Sequence, residues 1–190
     1  MKIAFPVLFS IMYLIIVFTF RSFLQGFIVL LLIPFSLVGV AWGHFIQGYI
    51  LSMLSLYGVI ALIGIVVNDS LVFISTMNSR LKEGALFSDT LYEVGISRFR
   101  PIILTSLTTI AGLGPLIFEQ SRQAQFLSPM AISVAYGLLF GTTLTLIILP
   151  ALLVLFNGAK RKIMSISEKR TVTAEEVEPA LREELFSEIH

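Results

Sequence analysis

Five apolar runs, at about residues 3–20, 25–46, 50–77, 101–118 and 126–157, constrain this chain more than any other feature. Each comes near the ~20 residues that an α-helix needs to cross ~30 Å of hydrocarbon at ~1.5 Å per residue. Hydrocarbon offers a backbone amide no partner, and runs this long without period-2 alternation exclude a β-barrel, so the spans are expected as helices. The predicted fold class is therefore all-α: a polytopic membrane helix bundle over residues 1–157, followed by a charged cytoplasmic tail over 158–190. Of the 25 acidic and basic side chains, 24 fall outside the five runs, which leaves those runs no charged surface to show to water. Residues 1–20 are read as a retained helix, because their apolar run is longer than a secretory leader's and no small-residue cleavage site follows it.

Composition removes several other classes. A net charge of +1 provides no concentrated basic face for nucleic acid. With no cysteine and only two well-separated histidines, His44 and His190, no disulfide framework, metal cluster or cofactor site is expected. His44 stands alone near the end of the second span, so no serine–histidine set is expected at membrane depth and no enzyme activity is assigned.

Orientation follows from the basic residues. One set of connections holds Arg21, Arg80, Lys82, Arg98, Arg100, Lys160, Arg161 and Lys162, and the other only Lys2 and Arg122. The positive-inside rule assigns the first set, and the C-terminus with it, to the cytoplasm. The N-terminus then starts outside, as expected for the back part of something longer.

Small residues recur at helical spacing within the spans. Ser133, Gly137, Gly141 and Thr145 repeat every fourth position, Gly39 and Gly43 form a second such pair, and Thr105, Thr108, Thr109 and Gly112 share one face. Faces of this kind let helix backbones approach closely, although a threonine also commonly bonds back to its own helix. Pro34 is expected to kink the second span.

Asp69, preceded by Asn68, is the one charge inside a span. Placing a carboxylate in hydrocarbon costs ~2.5–3.5 kcal/mol on insertion scales, so Asp69 is expected to face the bundle interior or a hydrated path. An acid held there is a candidate proton carrier, and a protonated packing group is the alternative. Tyr57, Ala61, Gly64, Asn68 and Ser75 lie along one stripe, read here as a packed face onto which the polar pair opens.

The run from Gly64 through Asn68-Asp69-Ser70-Leu71-Val72, followed after a charged loop by Phe99-Arg100-Pro101 and Thr105-Ser106-Leu107-Thr108-Thr109, resembles the resistance–nodulation–division transporters of the acriflavine-resistance type. Arg21-Ser22, Ile33-Pro34 and the residues from Leu51 to Gly58 fit the same family. The resemblance covers residues 1–157 and matches the last five of the twelve membrane helices of a full transporter, half of its membrane domain. It implies a secondary transporter of the bacterial inner membrane, in which proton influx drives export of drugs, detergents, metal ions or lipid-like molecules. It also implies a homotrimer working with a periplasmic adaptor and an outer-membrane channel, in contact with membrane lipid and completed by an N-terminal half outside this chain.

In the drug pumps of that family, a lysine on the helix matching the third span works with two aspartates from the other half. That lysine position aligns with Asn68 and the neighbouring family asparagine with Asp69, so this chain departs from the pattern. The departure leaves coupling by a proton, by a different relay or by another cation open. Thr105 aligns with a relay threonine and Arg98 with an arginine at the cytoplasmic entrance. Two functions therefore stand: the energy-coupling membrane part of an efflux transporter, or a non-transporting membrane scaffold or assembly subunit.

The connections carry less. Residues 78–100 hold Leu86, Phe87, Leu91 and Val94 at rough helical spacing, which suits either a segment lying along the inner interface or a plain connecting helix. In the tail, Leu181, Leu185 and Ile189 share a face, as an amphipathic docking helix or a solvated tail would both allow.

Overall fold

Hydroxyl side chains and glycines set the helix ends. In the computed structural model, which describes residues 4–20, 22–119, 121–168, 173–174 and 177–178, helix α1 spans Ala4–Phe20 and α2 spans Phe23–Gln47. Between them Ser22 caps α2, its hydroxyl accepting from the Gln25 amide. Gly48, at φ 70°, ends α2 in the left-handed conformation that glycine adopts without a Cβ penalty, and the Tyr49 amide returns to the His44 carbonyl. Ser52 and Ser55 then form a reciprocal capping box that starts α3, Met53–Lys82. A short turn through Gly84, at φ 85°, leads to α4, Phe87–Phe118, and α5 runs Arg122–Glu168. Lys2 and Arg21 of the charge count, and Leu181, Leu185 and Ile189 of the tail, lie outside the described residues.

All five elements are helices, and α2 to α5 are each long and apolar enough to cross a membrane. The 17 residues of α1 give it ~26 Å. The protein is thus an all-α membrane helix bundle. Two helices extend well beyond the apolar runs on which they were expected. α4 starts at Phe87 and passes through Pro101 without a break, and α5 continues beyond residue 157 to Glu168. A chain inside a helix can lose one amide donor at proline and continue, and charged residues continue it once it leaves the apolar layer. α2 is likewise one continuous helix across Pro34.

α5 is the central helix. Its buried stripe of Ser133, Gly137, Gly141 and Thr145 slots between α2 and α3. A Cβ on Gly137 would strike Leu62 and Val40, and one on Gly141 would crowd Ser36 and Val66. From α2, Gly39 lies against the Tyr136 carbonyl and Phe140, and Gly43 against the Tyr136 ring. α3 contributes Gly58, which the sequence reading passed over, against the Met130 carbonyl. Leu32, Ile33, Leu62, Ile63 and Leu138 fill the core around these contacts.

Polar pairs fix the helix registers. At the basic end of the bundle, Gln25 of α2 and Asn78 of α3 exchange two amide hydrogen bonds of 3.1 Å each. In the middle, the buried hydroxyls of Ser106 and Thr142 tie α4 to α5 at 2.6 Å. At the opposite end Gln47 donates to the Tyr136 hydroxyl. There too, His44 is not alone: its Nε2 lies 2.8 Å from the Ser55 hydroxyl and its Nδ1 lies 3.0 Å from the Val40 carbonyl. A carbonyl only accepts, so Nδ1 carries a proton, and in the neutral ring the Ser55 hydroxyl then donates to Nε2. The turn at Gly48 produces this pairing by folding α3 back along α2. Ser55 is fully buried, and the pair clamps α2 to α3. Interhelical bonds of this kind contribute ~0.6 kcal/mol each, so together they select a register more than they supply the stability.

Candidate functional site

α3 has two faces. Ser55, Gly58, Leu62, Val66, Ser70 and Met77 are buried against the bundle, whereas Tyr57, Ala61, Gly64, Asn68, Val72 and Ser75 form an exposed stripe. The stripe read from sequence as a packed face is therefore uncovered by any described helix. Gly64 has nothing within 4 Å of an added Cβ. Asn68 is exposed, Asp69 is half-buried at the edge between the two faces, and neither makes a hydrogen bond or ion pair to a described residue. Ser70, one residue further on, is fully buried and bonds back to the Val66 carbonyl.

α4 extends the same open surface. Thr105, Thr108 and Gly112 are exposed and Thr109 is half-buried. The three threonine hydroxyls donate to the carbonyls of Pro101, Leu104 and Thr105. Each hydroxyl keeps lone pairs free to accept, so this ridge presents acceptors at membrane depth. Gly112, like Gly64, meets nothing within 4 Å. Of the six glycines singled out from sequence, four pack within the chain and these two face open space.

One contact sets the register between the two helices. Arg98 of α4 donates to the Thr76 hydroxyl of α3 at 2.6 Å. α3 and α4 are joined by a short turn and run antiparallel, so seven residues back from Thr76 is Asp69 and seven residues on from Arg98 is Thr105. Both lie ~10 Å from that contact along their helices, at the same level. Asp69, Asn68 and Thr105 thus share one layer of the open surface, and Arg98 stands between that layer and the basic end. Among the described residues no three His, Asp or Glu side chains gather as a metal site would require.

Comparison with known proteins sets this surface in context. The AcrB/AcrD/AcrF family profile matches residues 1–157. The swarming motility protein SwrC of Bacillus subtilis is 34% identical over 142 residues, covering 74% of this chain and 14% of that protein. The cobalt-zinc-cadmium resistance protein CzcA of Cupriavidus metallidurans is 28% identical over 179 residues, 94% of this chain and 17% of CzcA. The crystal structure of a heavy metal efflux pump superposes with a TM-score of 0.70 at 26% identity, over 80% of this chain and 15% of the pump. This chain therefore spans a small part of the length of the relatives it matches. With the helices, the membrane character and the matched motifs all in agreement, the chain belongs to the AcrB/AcrD/AcrF family, the resistance–nodulation–division efflux transporters.

Proposed function

We propose that this chain is the C-terminal membrane portion of a proton-motive-force-driven efflux transporter that exports drugs or other amphiphiles. The carrying observation is the uncovered polar layer at membrane depth, where Asn68 and Asp69 have no side-chain partner among the described residues and stand beside two glycines that no described helix approaches. A half-buried acid in hydrocarbon is costly unless a hydrated path or a further set of helices faces it. In this reading those helices belong to the transporter's other half, Gly64 and Gly112 let them approach, and Asp69 takes up and releases the coupling proton. Asn68 and Thr105 are its hydrogen-bonding partners, and Arg98 marks the cytoplasmic entrance. The basic end and the C-terminus lie in the cytoplasm and the protein sits in the inner membrane, as a trimer working with a periplasmic adaptor and an outer-membrane channel.

Metal cations are the second cargo reading, supported by the likeness over most of the chain to CzcA and to the heavy metal efflux pump. Both cargoes require substrate-binding and alternating-access parts from outside this chain. Expressed alone, the chain is expected to confer neither drug nor metal resistance, and resistance from the isolated chain that depends on Asp69 would overturn the proposal. Orientation is tested separately. Because the chain has no cysteine, Gln123→Cys reports one site only. A membrane-impermeant maleimide is expected to label it from the periplasmic side, and labelling from the cytoplasm alone would refute the assignment of sides.

A further inference from the structure

The buried stripe of α5 does not end with its apolar residues. After Leu149 and Leu153 it continues to Asn157, which is 5% exposed although it carries an amide. A buried amide needs partners, and the tail supplies them. Asn157 Nδ2 donates to the Ala174 carbonyl at 2.9 Å and to Glu178 Oε1 at 2.6 Å. One turn further along α5, Lys160 Nζ donates to the Val177 carbonyl at 3.0 Å. Val177 is 1% exposed, Glu178 is 7% exposed, and Ala174 packs against the main apolar core. Beside Asn157, the Phe156 ring meets Phe27 of α2 edge-on at 6.4 Å.

We propose that the basic end of α5 is a peptide-binding site whose ligand is the chain's own tail around Ala174, Val177 and Glu178, docked as a strap along the end of α5. The recognition is specific in kind. Asn157 reads a backbone carbonyl and a carboxylate together, Lys160 reads a second carbonyl three residues along, and the Val177 side chain is buried. No helix is needed for this docking, so the strap is a different object from an amphipathic partner-binding helix.

Burial also holds the Glu178 carboxyl above the ordinary glutamate value of 4.5, against the opposing pull of the Asn157 hydrogen bond and of the Lys160 charge. Asn157 bonds this carboxyl directly, and the Lys160 charge acts on it from the next turn of α5. The docked tail therefore binds its proton more tightly than the free tail does. Docking is strongest below the free value and weakens as pH rises through the raised, docked one.

Val177→Cys tests the strap, because it places a single thiol at a buried site in an otherwise cysteine-free chain. In the folded protein in detergent, maleimide is expected to react at least about tenfold more slowly than with the same chain unfolded in dodecyl sulfate at equal pH. Adding Asn157→Ala is expected to bring the rate to within about twofold of the unfolded value, while adding Glu178→Gln keeps the protection, since glutamine still accepts from Asn157. As pH rises above the ordinary glutamate value the protection is expected to fall in the parent and to stay level with Glu178→Gln. Reaction at the unfolded rate in the parent, or protection unchanged by Asn157→Ala, would overturn the strap. A parallel fall with Glu178→Gln would remove the carboxyl from it.

Discussion

Gly39→Ala and Gly58→Ala are expected to destabilise the bundle, while Gly64→Ala and Gly112→Ala leave it unchanged or firmer. The difference lies in what the new methyl group meets. At Gly39 it would lie 2.6 Å from the Tyr136 carbonyl oxygen, and at Gly58 it would lie 2.5 Å from the Met130 carbonyl oxygen. Both obstacles are backbone of the central helix, which no side-chain rotation can move aside. Relief requires α2 or α3 to draw away from α5, and overpacking of this kind costs about 1–3 kcal/mol. At Gly64 and Gly112 an added Cβ meets nothing within 4 Å, so the higher helix propensity of alanine, up to ~1 kcal/mol, acts unopposed. Unfolding of the purified chain in mixed micelles, followed by circular dichroism against dodecyl sulfate fraction, reads these opposite signs. Equal destabilisation at all four positions would contradict the packing described above. In a complete transporter the second pair is expected to become damaging too, because the open face is then covered.

These glycines also show what was legible in the amino-acid pattern and what was not. The α5 stripe of Ser133, Gly137, Gly141 and Thr145 could be read because every fourth residue of a helix returns to one face, and that face is buried. The α3 stripe of Tyr57, Ala61, Gly64, Asn68 and Ser75 has the same pattern but is exposed. Small residues carry the same signature whether their neighbour belongs to this chain or to another. Gly58 escaped notice because its partner is a carbonyl of α5, which no side-chain pattern marks, although it does sit four residues before Leu62 on the apolar stripe.

The polar clamps were hidden for a related reason. His44 and Ser55 are 11 residues apart, and only the left-handed turn at Gly48 folds one onto the other. The tail contacts likewise rest on individual carbonyls meeting Asn157 and Lys160 rather than on any repeat. For α4, the apolar run begins only at Pro101, yet the helix starts at Phe87 and crosses the arginines and the proline, since proline inside a helix removes a single donor. The motif residues fared differently. Asp69 and Thr105 occur on separate helices 36 positions apart, and the Arg98–Thr76 contact brings them level. Sequence spacing alone had no means of supplying that register.

The role of Asp69 rests on its charge rather than on its shape. Asp69→Asn in a complete transporter carrying this segment removes the one carboxyl group within the apolar runs and nearly preserves volume and hydrogen-bonding capacity. Because the side chain makes no hydrogen bond or ion pair to a described residue, the substitution leaves the contacts of this bundle intact and normal membrane levels are expected. Thr105→Ala is the milder companion, since water in a hydrated path replaces a hydroxyl. The decisive measurement is substrate export by the purified transporter in proteoliposomes under an imposed pH gradient, with Asp69→Asn compared to the parent at equal protein density. Export at the level of empty liposomes, with Thr105→Ala retaining part of the parent rate, is the result expected if Asp69 carries the coupling proton. Gradient-driven export by Asp69→Asn at the parent rate would contradict that role and leave the residue as a packing group in a scaffold.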